Sequence, residues 1–329
     1  MNNSPHPYEQ LTPDTILDAI ESQGYETNGH LLALNSYENR VYQIGINERD
    51  FIIAKFYRPD RWSHAAILEE HQFALELARQ EIPVIAPLEN QQQQTLHEAG
   101  GFRFSLFPRV GGHWPDLTTT AQREQMGRLL GRMHAVGACQ AFQHRQHFTL
   151  DIARNAVAFL SDEQQIPDYL IPAYSSLSEE LLATMESIFD RVGQLASIRL
   201  HGDCHPGNIL WSEHDGPQFV DLDDTCSGPA IQDLWMLLSG TPDEMQGQLQ
   251  DLLNGYTQFH DFSYGSLALI ETLRTIRIMH YAAWLARRWQ DPAFPVAFPW
   301  FESTRYWEEH ILSLREQAAA LQVPSLNVI

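Results

Sequence analysis

LHGDCHPGNILWSEHDGPQFVDLDD, residues 200–224, decides the reading of this chain. Two short apolar runs, Ile209-Leu210-Trp211 and Gln218-Phe219-Val220-Asp221-Leu222, flank a Ser-Glu-His-Asp-Gly-Pro segment. Such runs, punctuated by Gly216 and Pro217, predict a β-hairpin. With the turn centred on His214 and Asp215, antiparallel pairing sets Asn208 opposite Asp221 at the open end. One amide oxygen and one carboxylate then converge, and Mg²⁺ that carries substrate phosphates is held by one or two such groups plus waters. Asp203 lies in the loop entering the hairpin, five residues before Asn208, and can face the same point. A carboxylate beside a metal–phosphate site, and not itself a ligand, suits accepting a hydroxyl proton. Zinc is the rival use of His201, Asp203, Cys204 and His205, but the second ligand pair that structural zinc needs does not follow. A lone His-Gly-Asp would more often be a turn; the meaning lies in the whole stretch.

Composition narrows the classes. At about 150 residues per domain, 329 residues predict two domains. With 42 acidic and 21 basic residues the formal charge is −21, which repels nucleic acid and anionic membranes and favours cationic partners. Cys139, Cys204 and Cys226 make no disulfide framework, which fits a reducing cytoplasm. The opening MNNSPHPYEQLTPD has no basic region followed by an apolar run, and no stretch of about 18 apolar residues is present to span a membrane. These features predict a soluble cytoplasmic protein, and a monomer is the expected assembly.

Upstream, Thr12-Pro13-Asp14 opens a short amphipathic helix that ends near Gly24. Leu31 to Leu34 and Val41 to Ile44 read as strands around a polar loop that holds Ser36. Phe51 to Tyr57 is the next strand, and Lys55 is the one charge in its apolar run. A buried ammonium needs a partner, because leaving it unpaired costs several kcal/mol. Glu69 and Glu70, on the helix that follows (residues 65–80), are both candidates. The segment from Pro83 to Pro87 leads into a strand, residues 101–108 form the last strand, and Arg109-Val110-Gly111-Gly112 marks a boundary. Two domains follow, 1–110 and 111–329. The second reads as mostly helical, with helices near 122–136, 150–160, 177–195, 229–238, 249–256, 267–289 and 306–321. Gly127 and Gly131 in the first of these permit close packing. Asp233 interrupts the apolar run of the helix at 229–238 and suits a structural role, accepting amide hydrogen bonds from the loop that carries Asp203. Arg287-Arg288-Trp289 reads as a solvated helix end sooner than as a substrate contact.

Asp203-x-x-x-x-Asn208, followed by Asp221-Leu222-Asp223, resembles the catalytic loop and metal-binding segment of kinases, with His201-Gly202-Asp203 in place of His-Arg-Asp. In that form it is similar to the aminoglycoside phosphotransferase/choline kinase family. The segments 34–43, 55–62, 69–77, 201–211, 219–224, 228–238 and 287–295 further resemble a branch of bacterial stress-response Ser/Thr kinases within it. The resemblance runs nearly end to end. It departs in a slightly longer span from Asn208 to Asp221; the G-x-G-x-x-G loop of protein kinases is absent, and so is their Ala-Pro-Glu segment, which would dock a peptide. It implies an α+β, bilobal protein-kinase-like fold, with a small N-terminal lobe built on an antiparallel sheet and a larger helical lobe. It implies Asp203 as proton acceptor, and Asn208 and Asp221 as Mg²⁺ ligands. Ser36 and Lys55 would lie at the ATP phosphates, Glu70 would pair with Lys55, and backbone around Phe107 to Arg109 would meet the adenine. The implied activity is ATP-dependent Ser/Thr protein phosphorylation, with autophosphorylation, in stress protection. A small-molecule kinase acting on an aminoglycoside, choline or homoserine, and an inactive nucleotide-binding scaffold, are the other readings.

Overall fold

The computed structural model describes residues 6–162, 165–323 and 325–326. Thr12 caps α1 (Pro13–Glu21): its hydroxyl accepts from the Thr15 amide, and Pro13 presets φ in the first turn. Ile16, Ala19 and Ile20 turn inward onto a five-stranded antiparallel sheet. Its strands are β1 (Thr27–Ala33), β2 (Arg40–Ile46), β3 (Asp50–Phe56), β4 (His97–Ala99) and β5 (Phe102–Pro108), in the order β1-β2-β3-β5-β4. Lys55 on β3 lies between Val41 on β2 and Ser105 on β5, so it projects from the middle of the sheet.

Ser63 caps α2 (His64–Arg79). The Phe73, Ala74 and Leu77 side of this helix joins the large helical core, while Ile67 packs with Tyr57 and Leu96 beside the sheet. The segment after it was expected to lead directly into a strand of the sheet. Instead it stays extended along the later hairpin: Phe219 N donates to Pro83 O at 2.8 Å and Ile85 N to Phe219 O at 2.9 Å.

The rest is built from α3 (Thr120–Gly137), α4 (Asp151–Asp162), α5 (Ile171–Val192), α6 (Ile231–Trp235), α7 (Pro242–Tyr256), α8 (Ile270–Arg287), α9 (Ala293–Ala297) and α10 (Thr304–Ala320). Two small ladders sit among them, β6 (Ile198–Leu200) with β9 (Cys226–Gly228), and β7 (Ile209–Ser212) with β8 (Gly216–Phe219). Helices α3 and α7 lie so close that a Cβ at Gly127 or Gly131 would run into the carbonyls of Leu252 or Tyr256. The helix expected over 229–238 is shorter, confined to α6, with tighter turns over Leu237 and Leu238.

The hairpin forms one register step away from the expected one. Gly216 adopts φ +72°, leaving a three-residue loop from Glu213 to Asp215, and Ile209 pairs with Phe219. Asn208 therefore faces Val220, whose amide donates to the Asn208 carbonyl at 3.0 Å. Asp221 falls just beyond the ladder, in the left-handed conformation at φ +59°.

Candidate active site

The loop from His201 to Asn208 is held from behind by one carboxylate. Asp233 on α6 is fully buried; its Oδ2 accepts from His201 N at 2.8 Å and its Oδ1 from Gly202 N at 2.9 Å. His134 Nε2 on α3 lies 3.0 Å from the same Oδ2, and its Nδ1 is 2.9 Å from the Tyr256 hydroxyl on α7. Three helices thus fix the backbone that leads into Asp203. Gly202 sits at φ +86° against the Asp224 carbonyl, where a Cβ would collide. An arginine, as in His-Arg-Asp, could not occupy that position in this backbone.

Asp203 is surrounded by donors. Asn208 Nδ2 donates to its carbonyl at 2.9 Å and to its Oδ2 at 3.2 Å. His205 Nε2 is 3.4 Å from the same Oδ2. Gly207 N donates to His205 Nδ1 at 3.0 Å, which in the neutral ring leaves the proton on Nε2, facing Asp203. Arg277 from α8 closes on Oδ1. Burial would push the Asp203 carboxyl up, but the His205 hydrogen bond and the Arg277 charge outweigh it and hold it well below the ordinary carboxylate range.

Lys55 meets three carboxylates: Asp221 Oδ1 at 3.0 Å, Asp223 Oδ1 at 3.1 Å and Glu70 Oε1 at 3.5 Å. Desolvation would lower its pKa, yet these charges carry it well above the usual lysine value. Glu70 is the third and most distant partner. Burial raises its carboxyl, against the opposing pull of Lys55, to about 7. Glu69, the other candidate, points away and accepts from the amides of Gln143, His144 and Arg145 at 2.6, 2.7 and 3.0 Å.

Ser36 lies in the loop between β1 and β2, where its hydroxyl donates to Asn39 O at 3.1 Å. Phe107 pairs with Ile53 in the sheet, and Arg109 leaves it with Nε 3.3 Å from Gln43 Oε1. The oxygens suit a hard cation. Asn208 uses its N–H groups on Asp203, which leaves its amide oxygen as an acceptor. Asp221 gives one oxygen to Lys55, and its side chain is 54% exposed. Among the described residues no three His, Cys, Asp or Glu form a closed metal cage. An open amide–carboxylate pair fits Mg²⁺, which keeps waters and phosphate oxygens in its shell.

Several contacts of the site carry little signal in sequence. Asp223 is nearly fully buried and held by Arg61 as well as Lys55. Burial pushes its carboxyl up, but Arg61 and Lys55 prevail and keep it low. Arg145, also buried, donates to Thr225 O at 2.8 Å and to the Asp223 carbonyl, and lies 3.9 Å over the Trp62 ring. Glu38, beside Ser36, accepts from Trp284 Nε1 at 2.6 Å and pairs with Arg288, so the Arg287–Trp289 helix end is not simply solvated. Asp291 receives Arg40 on both oxygens at 2.9 Å and Arg58 at 2.9 Å, tying β2 and the segment after β3 to the helical part. The only sequence hint was the number of arginines around 58–61 and 287–288.

A lysine on a central strand, a carboxylate loop fixed by a buried aspartate and an amide–carboxylate pair beyond a hairpin define a phosphotransferase site. The chain belongs to the phosphotransferase enzyme family, whose model matches residues 30–270. It is 45% identical over 329 residues to stress response kinase A of Escherichia coli (strain K12), covering 100% of this chain and 99% of that protein. It is 42% identical over 330 residues to serine/threonine protein kinase RdoA of Salmonella typhimurium (strain LT2), with 100% and 99% covered. Spectinomycin phosphotransferase APH(9)-Ia, solved with ADP and spectinomycin, superposes with a TM-score of 0.67 at 15% identity over 94% of this chain and 98% of that one. The amicoumacin kinase hAmiN, solved with AMP-PNP, Ca²⁺ and Ami, gives 0.65 at 17% identity over 91% and 94%. The α+β, bilobal kinase-like fold expected from the sequence is the fold of these structures. Among the described residues no helix is long and apolar enough to cross a membrane.

Proposed function

We propose that the protein is an ATP- and Mg²⁺-dependent serine/threonine protein kinase that also phosphorylates itself, acting in a cytoplasmic stress response. Residues 1–110 would form the nucleotide-binding lobe and 111–329 the catalytic and substrate lobe, in a monomer. The observation that carries the reading is a convergence: Lys55 lies 3.0 Å from Asp221, and Asn208, one residue away across the ladder, lies 3.2 Å from Asp203. Lys55 exchanges its contact with Asp221 for the α- and β-phosphates, with Glu70 behind it. Ser36 and the amides of its loop cover the phosphates, and backbone around Phe107 and Arg109 meets the adenine. Asn208 and Asp221 hold Mg²⁺, which supplies charge neutralisation on the phosphates when bound. Asp203 stays ionised, orients the acceptor hydroxyl for in-line attack and takes its proton.

A protein acceptor is supported by the names of relatives that match over the full length. The test is mass spectrometry after incubation with MgATP, alone and with a generic basic protein, reading which Ser or Thr gains phosphate. Asp203→Asn is expected to bind MgATP nearly as before and to transfer at least about a hundredfold more slowly. Parental transfer by that variant removes Asp203 from its role. The solved neighbours described as spectinomycin phosphotransferase and aminopropanol kinase favour a small-molecule acceptor instead. Phosphate found only on an added alcohol, and never on protein, would establish that reading.

A further inference from the structure

Two arginines, Arg277 and Arg288, line the cleft beside Asp203, each paired with a carboxylate, in a chain whose net charge is −21. Arg277, Tyr281 and Trp284 recur every three or four residues along α8 and so share one face, which Arg288 at the C-cap extends. Arg277 touches Asp203 at one end, and Arg288 and Trp284 hold Glu38 at the other. Between them Tyr281 stacks on Trp284 with ring centroids 5.7 Å apart, Trp284 meets Phe298 at 5.9 Å, and Phe298 meets Tyr37 at 4.8 Å. Tyr281 and Tyr37 remain 42% and 40% exposed, and Val296 nearby in chain from Phe298 is 83% exposed. The result is an aromatic floor that starts at the general base and is bordered by guanidinium groups. His280, on the same helix, has its pKa lowered to about 4 by burial and by the charges of Arg287, Arg288, Arg61 and Arg277.

We propose that this face selects a peptide acceptor with an acidic residue next to the acceptor hydroxyl, and that Arg277 is the specificity-determining residue. The inference rests on the protein-kinase reading above. Oδ2 already faces Asn208 and His205, so an acceptor hydroxyl approaches Oδ1 and competes there with Arg277. The guanidinium, its side chain 42% exposed, then needs a new anion. Consecutive Cα atoms lie 3.8 Å apart, so a carboxylate on the adjacent residue can reach the group that the hydroxyl displaces. A cationic group in that place would meet Arg277 directly. The net negative charge of the chain is screened beyond about 8 Å at physiological salt, which leaves the groups beside the acceptor, Arg277 first among them, to decide.

The experiment compares three serine peptides that differ only in a flanking Glu, Gln or Lys. It measures kcat/KM for wild type, Arg277→Gln and Arg277→Glu, with MgATP affinity and melting temperature as checks of folding. Wild type is expected to favour the Glu peptide over the Lys peptide by about tenfold or more. Arg277→Gln brings the ratio toward one and Arg277→Glu inverts it. The ratio is the readout because a general loss of activity cancels in it. If peptides are phosphorylated with no charge preference, or with one that both variants leave unchanged, the inference is overturned and the kinase reading stands. If no peptide accepts phosphate while a small alcohol does, the protein-kinase reading falls and takes this inference with it. Should Arg277→Glu not fold, the wild-type ratio and Arg277→Gln decide.

Discussion

Replacing Asp233 by Asn changes one oxygen to an amide nitrogen in a site with no solvent access. The carboxylate accepts from three donors, Gly202 N on Oδ1 and His201 N and His134 Nε2 on Oδ2. Asn keeps one acceptor. In its better orientation the oxygen serves His201 and His134, and the Gly202 N–H faces an NH₂ group. That loses one charge-assisted hydrogen bond and strands a buried donor, together about 2–4 kcal/mol. At about 2.1 cal/mol/K of unfolding entropy per residue, a cooperative transition of this chain would shift down by about 3–6 °C. Function should suffer more than stability, because Gly202 adjoins Asp203 and a displacement of about 1 Å can cost about a hundredfold in rate. Nucleotide affinity should hold, since Lys55 and the β1–β2 loop do not touch Asp233. The assay is a thermal melt, MgATP titration and phosphate-transfer rate on the same preparation. Melting within a degree of wild type, with full transfer, would refute the claim that this carboxylate positions the loop.

Lys55→Met should abolish measurable nucleotide binding and also destabilise the fold by about 3 kcal/mol, because buried Glu70 and Asp223 each lose one of the cations that hold them. Denaturant titration beside nucleotide titration checks both; an unchanged midpoint would mean that the carboxylates are satisfied elsewhere. His310, buried on α10, has its pKa lowered by burial from 6.5 to about 4. Its folded pKa is depressed, so its contribution is intact above about 6.5 and is lost as pH falls toward 4, while the unfolded chain takes the proton first. Between pH 7 and pH 5, wild type should lose about 2 kcal/mol more than His310→Phe. Equal losses in urea unfolding at the two pH values would discard that assignment.

What the sequence disclosed and what it withheld divide along a physical line. Lys55 stood out because a single charge in an apolar strand has to be answered locally. Asp233 stood out for the same reason within its helix. The 200–224 stretch was readable because its parts are close in chain, and spacing alone brings them near one another. The register missed by one because the left-handed Gly216 shortens the loop, and nothing in the spacing shows whether a glycine will use that conformation. Arg61, Arg145 and Arg277 were passed over because an arginine on a helix or loop looks like solvated surface. Only tertiary packing shows that each reaches an acidic side chain or backbone carbonyl of the active site. Glu69 and Glu70 could not be told apart by helical periodicity; the direction of α2 against β3 separates them.

The left-handed backbone at Asp221 governs which substitutions can be interpreted. Asp and Asn tolerate that conformation better than most residues, while a branched or long side chain is strained there. Asp221→Asn therefore isolates the missing charge on an undisturbed chain path. An alanine at 221 mixes loss of the proposed Mg²⁺ ligand with strain at the strand end, and a glycine loosens the exit of the hairpin. Mutational surveys of this site would do well to rank variants by torsional compatibility before ranking them by chemistry.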